Sequence, residues 1–133
     1  MINHSEYRIS AEDVKTLVAR CRELGLVSIV CTKDAAESKA YANFKPDFIA
    51  VEPPELIGGE ISVTTANPNV VSDSVKMVKS VAKDVKVLCG AGVKNGQDVA
   101  KAIELGAEGV LLASGVVKAK DQRKVLMDLV GGL

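Results

Sequence analysis

Glu52 closes the apolar run Asp47-Phe48-Ile49-Ala50-Val51 and is followed at once by Pro53 and Pro54. Folding a buried strand does not call for a carboxylate at its end, so Glu52 is a candidate general base; the plainer reading is a surface residue before a turn. The two prolines stiffen the exit of the chain, and Ile57-Gly58-Gly59 gives flexibility at the far side of the loop. A rigid entry, an apolar middle and a glycine hinge suit a lid that closes over a ligand. Two further stretches, "CGAGV" (89–93) and "LASGV" (112–116), also follow apolar runs. Small residues let backbone N–H groups close around an anion, which makes the pair a candidate phosphate cradle; the alternative is two tight turns. His4 is the only histidine. It stands in the polar stretch Asn3-His4-Ser5-Glu6 as either a terminal surface residue or an acid–base group.

The elements that must position these residues are legible from periodicity. Residues 10–24 carry Val14, Leu17, Val18, Cys21 and Leu24 at helical spacing. Ser10 is placed to cap this helix, Glu12 and Asp13 suit its first turn, and Gly25 can end it. Helices are also predicted over 35–42, from Asn67-Pro68 through Ala82, from Asn95 to Leu105 with Gly106 as the stop, and over 121–130. The buried face of the second of these is marked by Val71, Val75, Val78 and Ala82. Four short β-branched runs, 26–31, 47–51, 85–89 and 109–113, are predicted strands. Strands alternating with helices imply right-handed βαβ units and an α/β fold with a parallel sheet. In such sheets ligands gather beyond the C-terminal strand ends, where Cys31, Glu52, 90–92 and 114–115 all fall.

Composition removes other classes. The chain has 133 residues, 47% hydrophobic and 3% aromatic, which predicts one domain over 1–133 with a core of Val, Leu, Ile and Ala. Seventeen basic and seventeen acidic residues cancel, without a basic stripe, so no nucleic-acid partner is expected. The longest apolar runs are too short to cross a membrane. Three scattered cysteines read as reduced thiols in packed positions of a cytoplasmic protein. No metal and no cofactor is expected.

Taken in order, "INHSEYR", "AVEPPELIGG", "VLCGAGV" and "GVLLASGVVKAKD" resemble triosephosphate isomerase of the short archaeal kind. The resemblance runs from Asn3 to the C-terminal helix and implies the second half of a (β/α)8 barrel. It implies an aldose–ketose isomerase acting on dihydroxyacetone phosphate and glyceraldehyde 3-phosphate in glycolysis and gluconeogenesis. Glu52 matches the family's catalytic base and His4 its neutral electrophile. Glu6 matches a supporting acid of the same motif. Ile57 and Gly58 match lid residues over the substrate phosphate, and Gly92, Ala113 and Ser114 match backbone positions that hold it. Two departures stand out. The lid reads "IGGE" where the family has "IGTG" more often, which puts Glu60 near a phosphate. The family's first-strand Asn and Lys have no counterpart; Asn43-Phe44-Lys45 mimics them but precedes its strand, at the wrong end of a barrel.

A complete barrel of this fold runs to about 250 residues. The resemblance therefore predicts a half-barrel of four parallel strands, each followed by a helix and preceded by the helix after the family's fourth strand. Such a half leaves open edges and an uncovered inner face. Its expected partners are a triose phosphate and either the missing N-terminal half or a second copy, giving a homo-oligomer. The competing expectation is a noncatalytic, self-associating half-barrel with residual phosphate binding.

Overall fold

The computed structural model describes residues 1–53 and 62–133. Helix α1 (Ala11–Glu23) begins where Ser10 Oγ accepts a hydrogen bond from Asp13 N–H at 3.1 Å, and the chain turns at Gly25 with φ +67°. Strand β1 (Ile29–Thr32), helix α2 (Ala35–Ala42) and strand β2 (Phe48–Val51) follow. The short α3 (Val63–Ala66) leads into α4 (Pro68–Val81), whose first residue is the predicted proline. Strand β3 (Lys86–Cys89) and α5 (Gly96–Glu104) come next, with Asn95 Oδ1 accepting from Asp98 N–H at 2.9 Å. The chain closes with α6 (Ser114–Val117) and α7 (Gln122–Val130).

The fold is α/β with a parallel sheet in the order β1-β2-β3. Three strands stand where four were expected among the described residues. The predicted strand 109–113 runs beside β3 but meets it only at the bridge of Val110 with Cys89. Cys89 N–H donates to Gly109 O and Leu111 N–H donates to Cys89 O, so among the described residues this segment is held on one side only. A strand without a second neighbour has half the ladder to fix its dihedrals, and here the chain leaves into α6 within three residues of Leu111. On the opposite edge Ile2 makes the matching bridge to Val30. The first strand also starts later than its apolar pattern suggests: Leu26 and Val27 precede it and are exposed.

Side chains alternate across the sheet. Val30, Ile49, Val87, Thr32, Val51 and Cys89 point toward the helices and are all buried to 1% exposure or less. They pack with Val14 and Val18 of α1, Val71 and Val78 of α4, and Val99 and Ala102 of α5. The other face carries Ile29, Cys31, Phe48, Ala50, Lys86 and Leu88. Of these, Ile29, Phe48 and Leu88 are half-exposed, Cys31 and Ala50 are buried, and Lys86 is exposed, its Nζ 5.6 Å from the Phe48 ring centre. Leu17 and Leu24 of the first helical pattern turn out exposed, because α1 buries only a narrow stripe centred on Val14 and Val18.

Candidate active site at the C-terminal edge of the sheet

Glu52 directly follows β2, and its N–H donates to Thr32 O at 2.7 Å, extending the ladder by one residue. Alternation places its side chain on the open face, in the column of Ala50 and beside Cys31 and Gly90. The residue is 8% exposed, yet Oε2 has no hydrogen-bond partner among the described residues. A buried carboxylate oxygen without a donor is costly and rare in native structures, and reactive sites are one place it persists. The side chain lies over Gly90: a Cβ there would fall onto Cγ and within 2.7 Å of Oε1. Burial pushes the Cys31 thiol well up from its ordinary value, and a side-chain hydrogen bond with Glu52 pushes the same way. Burial, then the charges of Asp98 and Glu52, raise Cys89 to about 12. Both thiols are therefore neutral, not nucleophilic, in the physiological range.

His4 sits at the same edge, two strand widths or about 10 Å from Glu52 across β1. It is partly buried, and Nδ1 accepts a hydrogen bond from Glu6 N–H at 3.3 Å. In the neutral ring that bond leaves the proton on Nε2, where it can be donated to a carbonyl oxygen. Glu6 Oε2 is 3.8 Å from the same Nδ1, and its side chain is exposed. That distance is beyond hydrogen-bond range, so the backbone donor sets the ring's state.

The two glycine-rich segments meet. Gly115 lies against its neighbour closely enough that a Cβ would stand 3.4 Å from Val93 O. Ala91 and Gly92 both take positive φ, +69° and +72°. For the buried Ala91 this is a strained conformation, and successive unusual residues turn peptide N–H groups toward one concavity. Ala113 and Ser114 are exposed, Ala113 at the entry to α6 and Ser114 as its first residue. Ile57, Gly58 and Glu60 lie outside the described residues. A separate cavity of about 250 Å³ opens at the opposite, N-terminal end of the sheet. Its polar groups bind one another: Arg22 donates to the Phe44 and Lys45 carbonyls, and Asp47 accepts from Ser28. Lys45 of the Asn43-Phe44-Lys45 mimic lines that cavity, away from Glu52.

A sequence model of the family described as "Triosephosphate isomerase" matches residues 1–130. The chain belongs to the triosephosphate isomerase family. The triosephosphate isomerase of Archaeoglobus fulgidus is 57% identical over 98% of this chain and 59% of its own length. That of Methanocaldococcus jannaschii is 55% identical over 98% of this chain and 59% of its own length. The chain thus spans about three fifths of the curated relatives it matches. Solved structures agree on a TIM-barrel-like fold. A mutant flavocytochrome b2 with pyruvate bound superposes with a TM-score of 0.69 at 18% identity, covering 91% of this chain and 32% of that one. A lactate oxidase of Pediococcus acidilactici gives 0.68 at 25% identity, covering 92% and 34%.

Within the family frame, sequence reasoning brought Glu52, His4 and both glycine loops to one edge, and the structure puts them there. It did not single out Gly90, which makes room for Glu52, or Ala91, which holds strain beside Gly92. The β2–β3 register places Gly90 next to Glu52, and that pairing cannot be read from either segment alone. Nor did it assign a task to Asn3, whose buried side chain bonds both Cys31 O and Ile9 N–H.

Proposed function

We propose that this chain carries the base, the electrophile and the phosphate loops of triosephosphate isomerase, as the second half of a (β/α)8 barrel. The observation that carries the reading is the buried oxygen of Glu52 at a strand end, without a donor among the described residues, on the edge shared with His4 and the two abutting glycine loops. Glu52 takes a proton from the carbon next to the carbonyl of dihydroxyacetone phosphate. Nε2–H of His4 polarises that carbonyl and stabilises the enediolate oxygen. Nε2 of His4 gives its proton to that oxygen and takes the proton of the adjacent hydroxyl, and Glu52 then returns the carbon-bound proton to the neighbouring carbon, giving glyceraldehyde 3-phosphate. Glu6 supports His4 through its backbone N–H. Gly92, Ala113 and Ser114 hold the phosphate through backbone donors, and the loop with Ile57 and Gly58 covers it, because an enediolate must be kept from water.

Turnover requires the rest of the barrel. Half-exposed Ile29, Phe48 and Leu88, with exposed Lys86, lie on the inner face that further strands would cover. The test is the isomerase rate of this chain alone, and mixed with the part of the Archaeoglobus fulgidus relative that it does not match. Activity in the mixture that Glu52→Gln removes is the expected result. A mixture that binds but does not turn over, or whose rate ignores Glu52→Gln, overturns the reading. The same open face favours a second reading, a self-associating half-barrel that binds phosphate without catalysis. Inorganic phosphate binding and self-association, with no rate in any mixture, is its signature.

A further inference from the structure

We infer that Asn3 is the positioning residue for His4, which deepens the proposed function and rests on its reading of His4 as the electrophile. Asn3 directly precedes His4 and is 4% exposed. Its φ is +64°, in the left-handed region that Asn tolerates better than most non-glycine residues. Both ends of its side chain are engaged. Nδ2 donates to Cys31 O at 3.0 Å, and Oδ1 accepts from Ile9 N–H at 3.1 Å. One side chain thus closes the loop of residues 3–9 on itself and pins it to β1, in the strand column next to Glu52. The core does not need this clasp: Ile2 already fastens the N-terminal segment through Ile2 N–H to Ile29 O at 2.8 Å and Cys31 N–H to Ile2 O at 2.9 Å. Glycine would supply the backbone angle more cheaply, so the amide is kept for its two bonds.

The far side of the loop has its own tether. Arg8 pairs with Glu37, which also accepts from Lys33 N–H at 2.8 Å. Between the two anchors the His4 carbonyl accepts from Tyr7 N–H at 2.8 Å, and Nδ1 accepts from Glu6 N–H. Asn3 is the anchor nearer the ring. Its loss leaves Arg8 holding the loop at a distance and the imidazole free to turn.

Because His4 is the only histidine, its ring nitrogens give a single set of nitrogen-15 signals in the whole chain. Asn3→Gly keeps the left-handed backbone and removes both bonds; Asn3→Asp keeps only the acceptor for Ile9. In the wild type the Nδ1 and Nε2 signals are expected at the separated positions of a fixed neutral tautomer. In Asn3→Gly they move toward the averaged values of free imidazole, Ile9 amide exchange speeds about tenfold, and β1 amide protection is unchanged. Asn3→Asp retains the Ile9 protection. Unmoved ring signals in Asn3→Gly overturn the inference. So does loss of β1 protection in both variants, which would make Asn3 a structural residue. Neither readout uses activity, so an ordered His4 in a chain that no complement activates would sink the proposed function and leave this inference standing.

Discussion

Gly90 and Glu52 occupy the same space in turn: a methyl group at position 90 would meet Glu52 Cγ, Oε1 and Cδ, all on the side chain. Forcing an extra carbon into a packed site costs about 1–3 kcal/mol. Gly90→Ala should therefore lower stability by that amount, and Glu52→Ala in the same chain should recover most of it, since it deletes every atom in the way. A coupling of at least about 0.5 kcal/mol in a urea-denaturation double-mutant cycle is expected; additive effects would show that Glu52 does not lie over Gly90. The thiols give a second test, with a definite sign. Cys89 ordinarily ionises near 9.0 and in the fold only near about 12. The folded state favours the neutral thiol, so its contribution is complete below pH 9 and is lost as pH rises from there toward 12. Cys31 and Tyr41 are raised as well and act in the same direction. The urea midpoint should fall steadily above pH 9, and the fall should be shallower in Cys89→Ala.

Helix α5 is capped and α4 is not, though both open with asparagine. Asn95 Oδ1 accepts from Asp98 N–H, whereas Asn67 makes no side-chain capping bond. Asn95→Ala should cost about 1 kcal/mol and Asn67→Ala only a few tenths, measured as thermal-melt shifts side by side. Equal shifts would contradict the geometry. The contrast also marks what local sequence can carry. Proline at the first helical position starts α4 without help, and Ser10, Asn95 and the valine stripes act within one or two turns, so these elements were legible. Strand 109–113 was not, because an apolar run becomes a strand only where a neighbour supplies a continuous ladder, and here a single bridge, Val110 with Cys89, forms. Leu17 and Leu24 fit the helical period but miss the contact face, which is set by where α1 lies on the sheet. The candidate site divides in the same way. Strand-end residues could be found from strand order, while the Glu52–Gly90 fit and the Asn3 bond to Cys31 depend on register and on contacts 28 or more residues apart.

At the scale of the whole molecule, the two faces of the sheet are covered unequally, with Cys31 and Ala50 buried on the face away from the helices but their neighbours accessible. The helix-facing rows are sealed, while Ile29, Phe48 and Leu88 form a half-exposed strip with Lys86 at its rim. Apolar surface left on the face of a parallel sheet away from its helices is what further strands cover in a closed barrel. Among the described residues both lateral edges are open as well, with Ile2 and Val110 each bridged to a single neighbour. Unpaired strand edges beside an apolar face drive chains together. The chain by itself should therefore run as a dimer or larger species by size-exclusion chromatography with light scattering. Leu88→Glu puts a charge on this face without touching the helix-facing core. It should weaken association at least tenfold, about 1.4 kcal/mol, and shift the mass toward the monomer at micromolar concentration. A clean monomer for the unaltered chain would mean that the strip closes on itself. The inner face would then be unavailable to complementing strands, and the isomerase reading would lose the N-terminal half it requires.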